Sequence, residues 1–234
     1  EAKYDSNKHL IFFHGGPGIA SHNIYRGFWD QLNNKVHIHY LDYRNHGNSD
    51  DYDEFSLKNV ASDYFDYISK NINVDSDIYL AGVSLGGWVI LEFLKNYNNK
   101  LNQNIKGIII CNSEHKTCSD TIINNFSQGY TKEAFETIKE MFSENPKSNI
   151  GKKYMEYCVC GEGKSYTPED IAKFVPRFNY ELFHNFYQNK MYKIDYTDDI
   201  KMFNDIPLLN IIGGKDPEHD AKLGQELSSL YINA

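Results

Sequence analysis

Gly82-Val83-Ser84-Leu85-Gly86-Gly87 is the stretch on which the fold turns. Asp77 to Ala81, just upstream, reads as a short buried strand, and Trp88 to Leu94, just downstream, as a helix. A serine between strand and helix with glycines two residues to either side matches the turn Gly-x-Ser-x-Gly. The turn is so tight there that only glycine clears the neighbouring backbone. It lifts the hydroxyl above the sheet edge, and the helix behind it aims free N–H groups at any developing anion. Taken alone, the same six residues also read as an ordinary glycine-rich turn.

Two further stretches stand in order around it. Leu10-Ile11-Phe12-Phe13 is an apolar strand running into His14-Gly15-Gly16-Pro17-Gly18. Val36 to Leu41 is another, ending in Asp42-Tyr43-Arg44-Asn45-His46-Gly47-Asn48-Ser49. With these three motifs the chain resembles the α/β-hydrolase superfamily over nearly its whole length. In that superfamily the first loop often reads His-Gly-Gly-Pro-Gly and the second Asp-x-Arg-Gly-x-Gly-x-Ser. Asn45 stands where the second loop usually has glycine, and asparagine tolerates the left-handed backbone. The resemblance implies a serine hydrolase with Ser84 as nucleophile and the N–H groups of Gly16 and Leu85 as oxyanion hole.

It also implies the acid. Ile206 to Ile212 is an apolar strand followed by Gly213-Gly214-Lys215-Asp216, and Asp216 occupies the family's place for the triad carboxylate. Asp216-Pro217-Glu218 equally reads as a helix start, with Asp216 as N-cap and Pro217 at N1, and the two readings are compatible. The family histidine follows one further strand. Asp220 to Ile232 reads as the helix before it, with Ala221, Leu223, Leu227 and Leu230 apolar, so the base is expected beyond Ala234. His219 lies three residues after Asp216, which would put base and acid on one short turn instead of across a pocket. His14 and His46 belong to the loop motifs, and His9, His22, His115 and His184 have no motif around them. Both ends of the chain read as trimmed for this family.

The length of 234 residues allows one core, or a core with a lid. Net charge is −8 with scattered Lys and Arg, which argues against a nucleic-acid partner. No apolar run reaches the ~18 residues of a membrane span. A polar start without a visible signal peptide suggests a cytoplasmic protein. Cys111, Cys118, Cys158 and Cys160 form no ligand pair and read as free thiols, with a disulfide at Cys158 or Cys160 open to a secreted protein. His37 and His39 share a strand face, but no third ligand is suggested and packing in a central strand is the expectation. Neither metal nor cofactor is implied.

Strands expected over 9–14, 36–42, 77–83, 105–111 and 207–213 alternate with helices over 24–33, 56–71, 85–97 and 217–232. Ser56 is a good N-cap for the second helix. This alternation predicts an α/β fold, a mostly parallel sheet with helices on both faces and its site at the carboxyl ends of the strands. Residues 1–112 and 200–234 form the expected core. The stretch 113–199 breaks the alternation, carries helical patterns at 131–142 and from Thr167, and reads as a helical lid. Its aromatics, Phe174, Phe178, Tyr180, Phe183, Phe186, Tyr187 and Tyr192, are expected mostly to glue lid to core, a few lining the pocket.

The expected substrate is a small to medium ester, or an amide or short peptide. His-Gly-Gly-Pro-Gly resembles the proline iminopeptidase branch, whereas Leu85-Gly86-Gly87 is closer to general esterases and acylglycerol lipases. An aminopeptidase would need carboxylates to hold an ammonium, for which Glu114, Glu156, Glu162 and Glu181 are available. A hydrolase fold without its base, kept as a small-molecule binder, is the reading from another class.

Overall fold

The apolar run Leu10 to Phe13 is buried on both sides, as a strand inside a doubly covered parallel sheet must be. It forms the end of β1 (Lys8–Phe13) in a computed structural model that describes residues 7–128, 130–160 and 166–234. Four more strands follow: β2 (His37–Tyr40), β3 (Asp77–Val83), β4 (Asn104–Cys111) and β5 (Leu208–Ile211). They pair in the order β2-β1-β3-β4-β5, all parallel. The register sets Leu10 beside Tyr79 and Phe13 beside Gly82, so β1 and β3 end together and deliver their loops to one edge.

The helices are α1 (Arg26–Trp29), α2 (Leu57–Asn71), α3 (Leu85–Tyr97), α4 (Ser119–Ser127), α5 (Lys132–Met141), α6 (Ile150–Lys153), α7 (Pro168–Ala172), α8 (Tyr180–Gln188) and α9 (Ala221–Ser229). Ser56 caps α2, its hydroxyl accepting from the Asn59 N–H at 3.1 Å. The stripe Val60, Ala61, Tyr64 and Ile68 packs with Ile11, Phe13, Ile78 and Leu80 and with α3 in the main core. Leu10, Phe12 and Ala81 point to the opposite face, under Trp29. The expected helix over 24–33 is broken into α1 between two 3-10 turns, with Gly27 inside it. The last helix starts at Ala221 because Asp220, not Asp216, caps it through the Lys222 N–H at 2.8 Å.

Between β4 and β5 the chain is helical. Phe126, Ala134, Ile138, Met141, Ile150, Tyr154, Cys158 and Phe183 form a hydrophobic cluster of their own there. Thr131 caps α5, and Thr167 with Asp170 closes a capping box on α7. Residues 154–159 continue α6 as a π-helical turn, which no periodicity in the sequence signals. The four cysteines are free thiols. β2 lies at the edge of the described sheet, so His37 and His39 are not in a central strand. His39 bonds His9 (2.8 Å) and the Tyr67 hydroxyl (2.9 Å), and no group of three His, Cys, Asp or Glu among the described residues is set to hold a metal. No helix among them is long and apolar enough to cross a membrane.

Candidate active site

Ser84 closes the turn between β3 and α3 with φ +52° and ψ −121°, a backbone state that costs a non-glycine residue of order 1–3 kcal/mol. The glycines around it are there for clearance. A Cβ on Gly86 would sit 2.1 Å from the Phe13 carbonyl oxygen, and one on Gly82 would sit 2.7 Å from the Gly86 carbonyl. The Ser84 N–H donates to the Cys111 carbonyl (3.0 Å), tying the turn to β4. Leu85 begins α3, so its N–H is one of the helix donors without an intrahelical acceptor. Gly16 lies against it, since a Cβ there would come within 3.3 Å of the Leu85 side chain.

Ser84, Leu85 and Gly16 open on one cavity of ≈ 60 Å³, room for a few water-sized groups. Trp88, Ile138, Met141, Phe142, Phe186 and Tyr187 supply its largely apolar wall. Tyr192 lines it too, whereas Phe183 is buried inside the helical cluster and Phe174 is solvent-exposed.

The two loop histidines are spent on the backbone. His14 donates from Nδ1 to the Gly15 carbonyl and accepts the Tyr43 N–H on Nε2 (3.1 Å). His46 donates to the Arg44 carbonyl (2.9 Å) and accepts the Gly18 N–H (2.6 Å). Burial pulls their pKa values down to about 3 and about 4, so both are neutral struts of the loops. Asn45 takes the left-handed state (φ +64°) and bonds Tyr52 through both ends of its amide. Asp42 holds the same loop, accepting from the His22 imidazole (2.9 Å) and the Asn48 N–H (3.1 Å).

Asp216 stands beyond the end of β5. It accepts from the Asn112 amide (2.9 Å) and the Glu218 N–H (2.9 Å), and it lines the neighbouring pocket, not the one at Ser84. No histidine among the described residues bonds it. His219, by contrast, does line the Ser84 cavity, and its Nδ1–H donates to both carboxylate oxygens of Glu114, each at 3.1 Å. Burial opposes charge on this imidazole, but the bond to Glu114 and the charges of Glu114, Asp216 and Glu218 together raise the pKa above the usual histidine value. Glu218 also lines the cavity and accepts the Tyr154 hydroxyl (2.6 Å).

Among the described carboxylates considered for an ammonium, Glu114 alone reaches this cavity, already held by His219 and by the Asp220 N–H (2.8 Å). Glu181 lines a separate groove beside Asp51 and Asp53, Glu156 is exposed, and Glu162 lies outside the described residues. The pairing of Glu114 with His219 has no signal in the sequence, because 105 residues separate the partners.

The family model for the alpha/beta hydrolase fold matches residues 8–148. No curated protein matches the chain. Among solved structures the chain is similar to MenH from S. aureus, with TM-score 0.72, 15% identity, and coverage of 100% of this chain and 85% of that one. It is similar also to the esterase RhEst1 from Rhodococcus sp. ECU1013 (TM-score 0.67, 17% identity, 97% and 79% covered). The esterase EaEST from Exiguobacterium antarcticum gives TM-score 0.63, 16% identity, and 97% and 81% covered. Identities this low carry the fold only. With a family model over more than half of its length and a strained serine turn at the sheet's carboxyl edge, the chain belongs to the alpha/beta hydrolase fold family.

Proposed function

We propose that the protein is a serine hydrolase that cleaves a small ester, or an amide, through an acyl-enzyme on Ser84. The observation that carries this reading is the positive φ of Ser84 on a turn cleared by Gly82 and Gly86. A binder gains nothing from a strained serine, whereas a nucleophile gains its exposure. In this reading Ser84 Oγ attacks the substrate carbonyl, and the oxyanion settles on the N–H groups of Gly16 and Leu85. Asp216 contributes a negative charge that favours an imidazolium nearby. Residues 113–199 act as the lid whose apolar wall selects the acyl group.

The esterases among the structural neighbours support an ester. So does the engagement of Glu114, which leaves it poorly placed to receive the ammonium of an N-terminal residue. The narrow cavity favours short acyl chains. A fluorophosphonate probe followed by peptide mass spectrometry tests the nucleophile. Ser84 is expected to carry the label, and labelling at another serine with Ser84 unmodified would overturn the assignment.

A further inference from the structure

The cavity at Ser84 has an aromatic wall and an acidic one. Trp88 follows Ser84 by one turn on α3 and stacks on Phe186 with ring centroids 6.4 Å apart. Phe186 meets Tyr187 (5.4 Å), Tyr187 meets Tyr192 (5.5 Å), and Phe142 closes on Tyr187 and Tyr192 at 5.7 and 5.1 Å. These rings make one continuous belt, and each of them lines the cavity. Beside the belt stand the carboxylates of Glu114 and Glu218 and the His219 imidazole. No lysine or arginine is among the described residues that line this space.

Two carboxylates against one imidazole leave the wall negative whether or not that ring carries a proton. Glu114 is taken up by His219 and the Asp220 N–H. Glu218 accepts the Tyr154 hydroxyl (2.6 Å), a neutral donor that holds the carboxylate in place without removing its charge. Burial, and after it the charge of Glu218, holds the Tyr154 and Tyr187 phenols well above the usual tyrosine value. The field of Glu218 therefore reaches into the aromatic belt.

We propose that the acyl group taken by this cavity is short and ends in a quaternary ammonium head, seated on the aromatic belt with Glu218 as its counter-charge. The inference rests on Ser84 being the nucleophile. Head groups differ sharply in how they suit these walls. A neutral alkyl head packs on the rings but strips water from a carboxylate and gives it no partner. An anionic head is repelled. A primary ammonium has three N–H donors to satisfy, and ring faces supply no acceptor of the usual kind. A quaternary ammonium has no N–H, spreads its charge over its methyl groups, and is attracted by ring faces and carboxylate together. Size agrees with this choice. The cavity of ≈ 60 Å³ holds a few water-sized groups, and a trimethylammonium head is a nitrogen with methyls about that size.

Two pairs of compounds, alike in shape and different in charge, test the proposal. The first pair is tetramethylammonium chloride and neopentyl alcohol, titrated into the wild-type protein at matched ionic strength and read by tryptophan fluorescence. Tetramethylammonium is expected to bind more tightly by about 10-fold or more. The second pair is the ethyl ester of trimethylammonioacetate and its carbon isostere, ethyl 3,3-dimethylbutanoate. Glu218→Gln is expected to lower kcat/KM for the cationic ester by about 10-fold or more relative to the isostere. Comparing the ratio of the two esters between variant and wild type cancels the intrinsic reactivity of each. Glutamine keeps an acceptor for the Tyr154 hydroxyl, and the first pair decides the matter if that variant fails to fold.

Tetramethylammonium binding no more tightly than neopentyl alcohol, or an equal loss on both esters in Glu218→Gln, would overturn the cation site while leaving the nucleophile standing. A protein labelled at Ser84 by fluorophosphonate that hydrolyses neither ester overturns the acyl assignment. A wild-type protein that binds tetramethylammonium but is not labelled at Ser84 overturns the nucleophile, and with it the head's place on an acyl group.

Discussion

Ser84, the proposed nucleophile, also carries a backbone cost. Its backbone state suits glycine, so Ser84→Gly is expected to raise stability by about 1 kcal/mol while ending covalent labelling. Ser84→Ala keeps the strain, and it should end labelling without that gain. Urea midpoints of the two variants against wild type check the difference; equal stability for both would remove the strain argument. The glycines and the asparagine of the loops were legible because each answers a local need. Gly82 and Gly86 clear carbonyls within 3 Å, and Asn45 accepts the left-handed backbone. The Glu114–His219 pair was not legible, since nothing local distinguishes a glutamate or histidine that meets its partner across the fold.

At the scale of elements, strands and capped helices follow local rules closely. α3 spans 85–97 as its apolar pattern indicates, and Thr131 starts the helix it was expected to start. α4, α6 and α8 meet in the second hydrophobic cluster, α4 packing on α5 and α6 on α8. Within this helical segment two aromatics should behave differently. Phe183→Ala empties a fully buried site and is expected to cost about 3–5 kcal/mol without changing the ranking of substrates. Phe142→Ala enlarges the cavity wall and should move the preference toward longer acyl esters. Thermal melts and a p-nitrophenyl ester series of increasing chain length separate the two effects. If neither variant alters the ranking, the segment packs without selecting.

For the whole molecule, the loops at the carboxyl edge rest on histidines that must stay neutral. Burial depresses His14 and His46 from 6.5 to about 3 and about 4. The unfolded chain therefore binds more protons than the folded one below pH 6.5. Stability is fully present above that pH and is lost as pH falls toward the folded values, by up to about 1.4 kcal/mol per pH unit for each histidine. Urea unfolding at pH 8, 6 and 5 should show the midpoint holding to about 6.5 and then falling. A midpoint flat down to pH 5 would mean that the two imidazoles are not buried as neutral struts.

The sequence by itself determined the order of strands and helices, the turn at Ser84 and the loops at Gly16 and Asn45. Each of these is set by apolar periodicity or by a steric demand within a few residues. Tertiary structure alone decided which carboxylate meets which histidine, which aromatics face the cavity, and that Asp216 turns to Asn112. Those pairings join segments about a hundred residues apart, and their geometry exists only once the sheet has brought the loops after β3, β4 and β5 to a common edge.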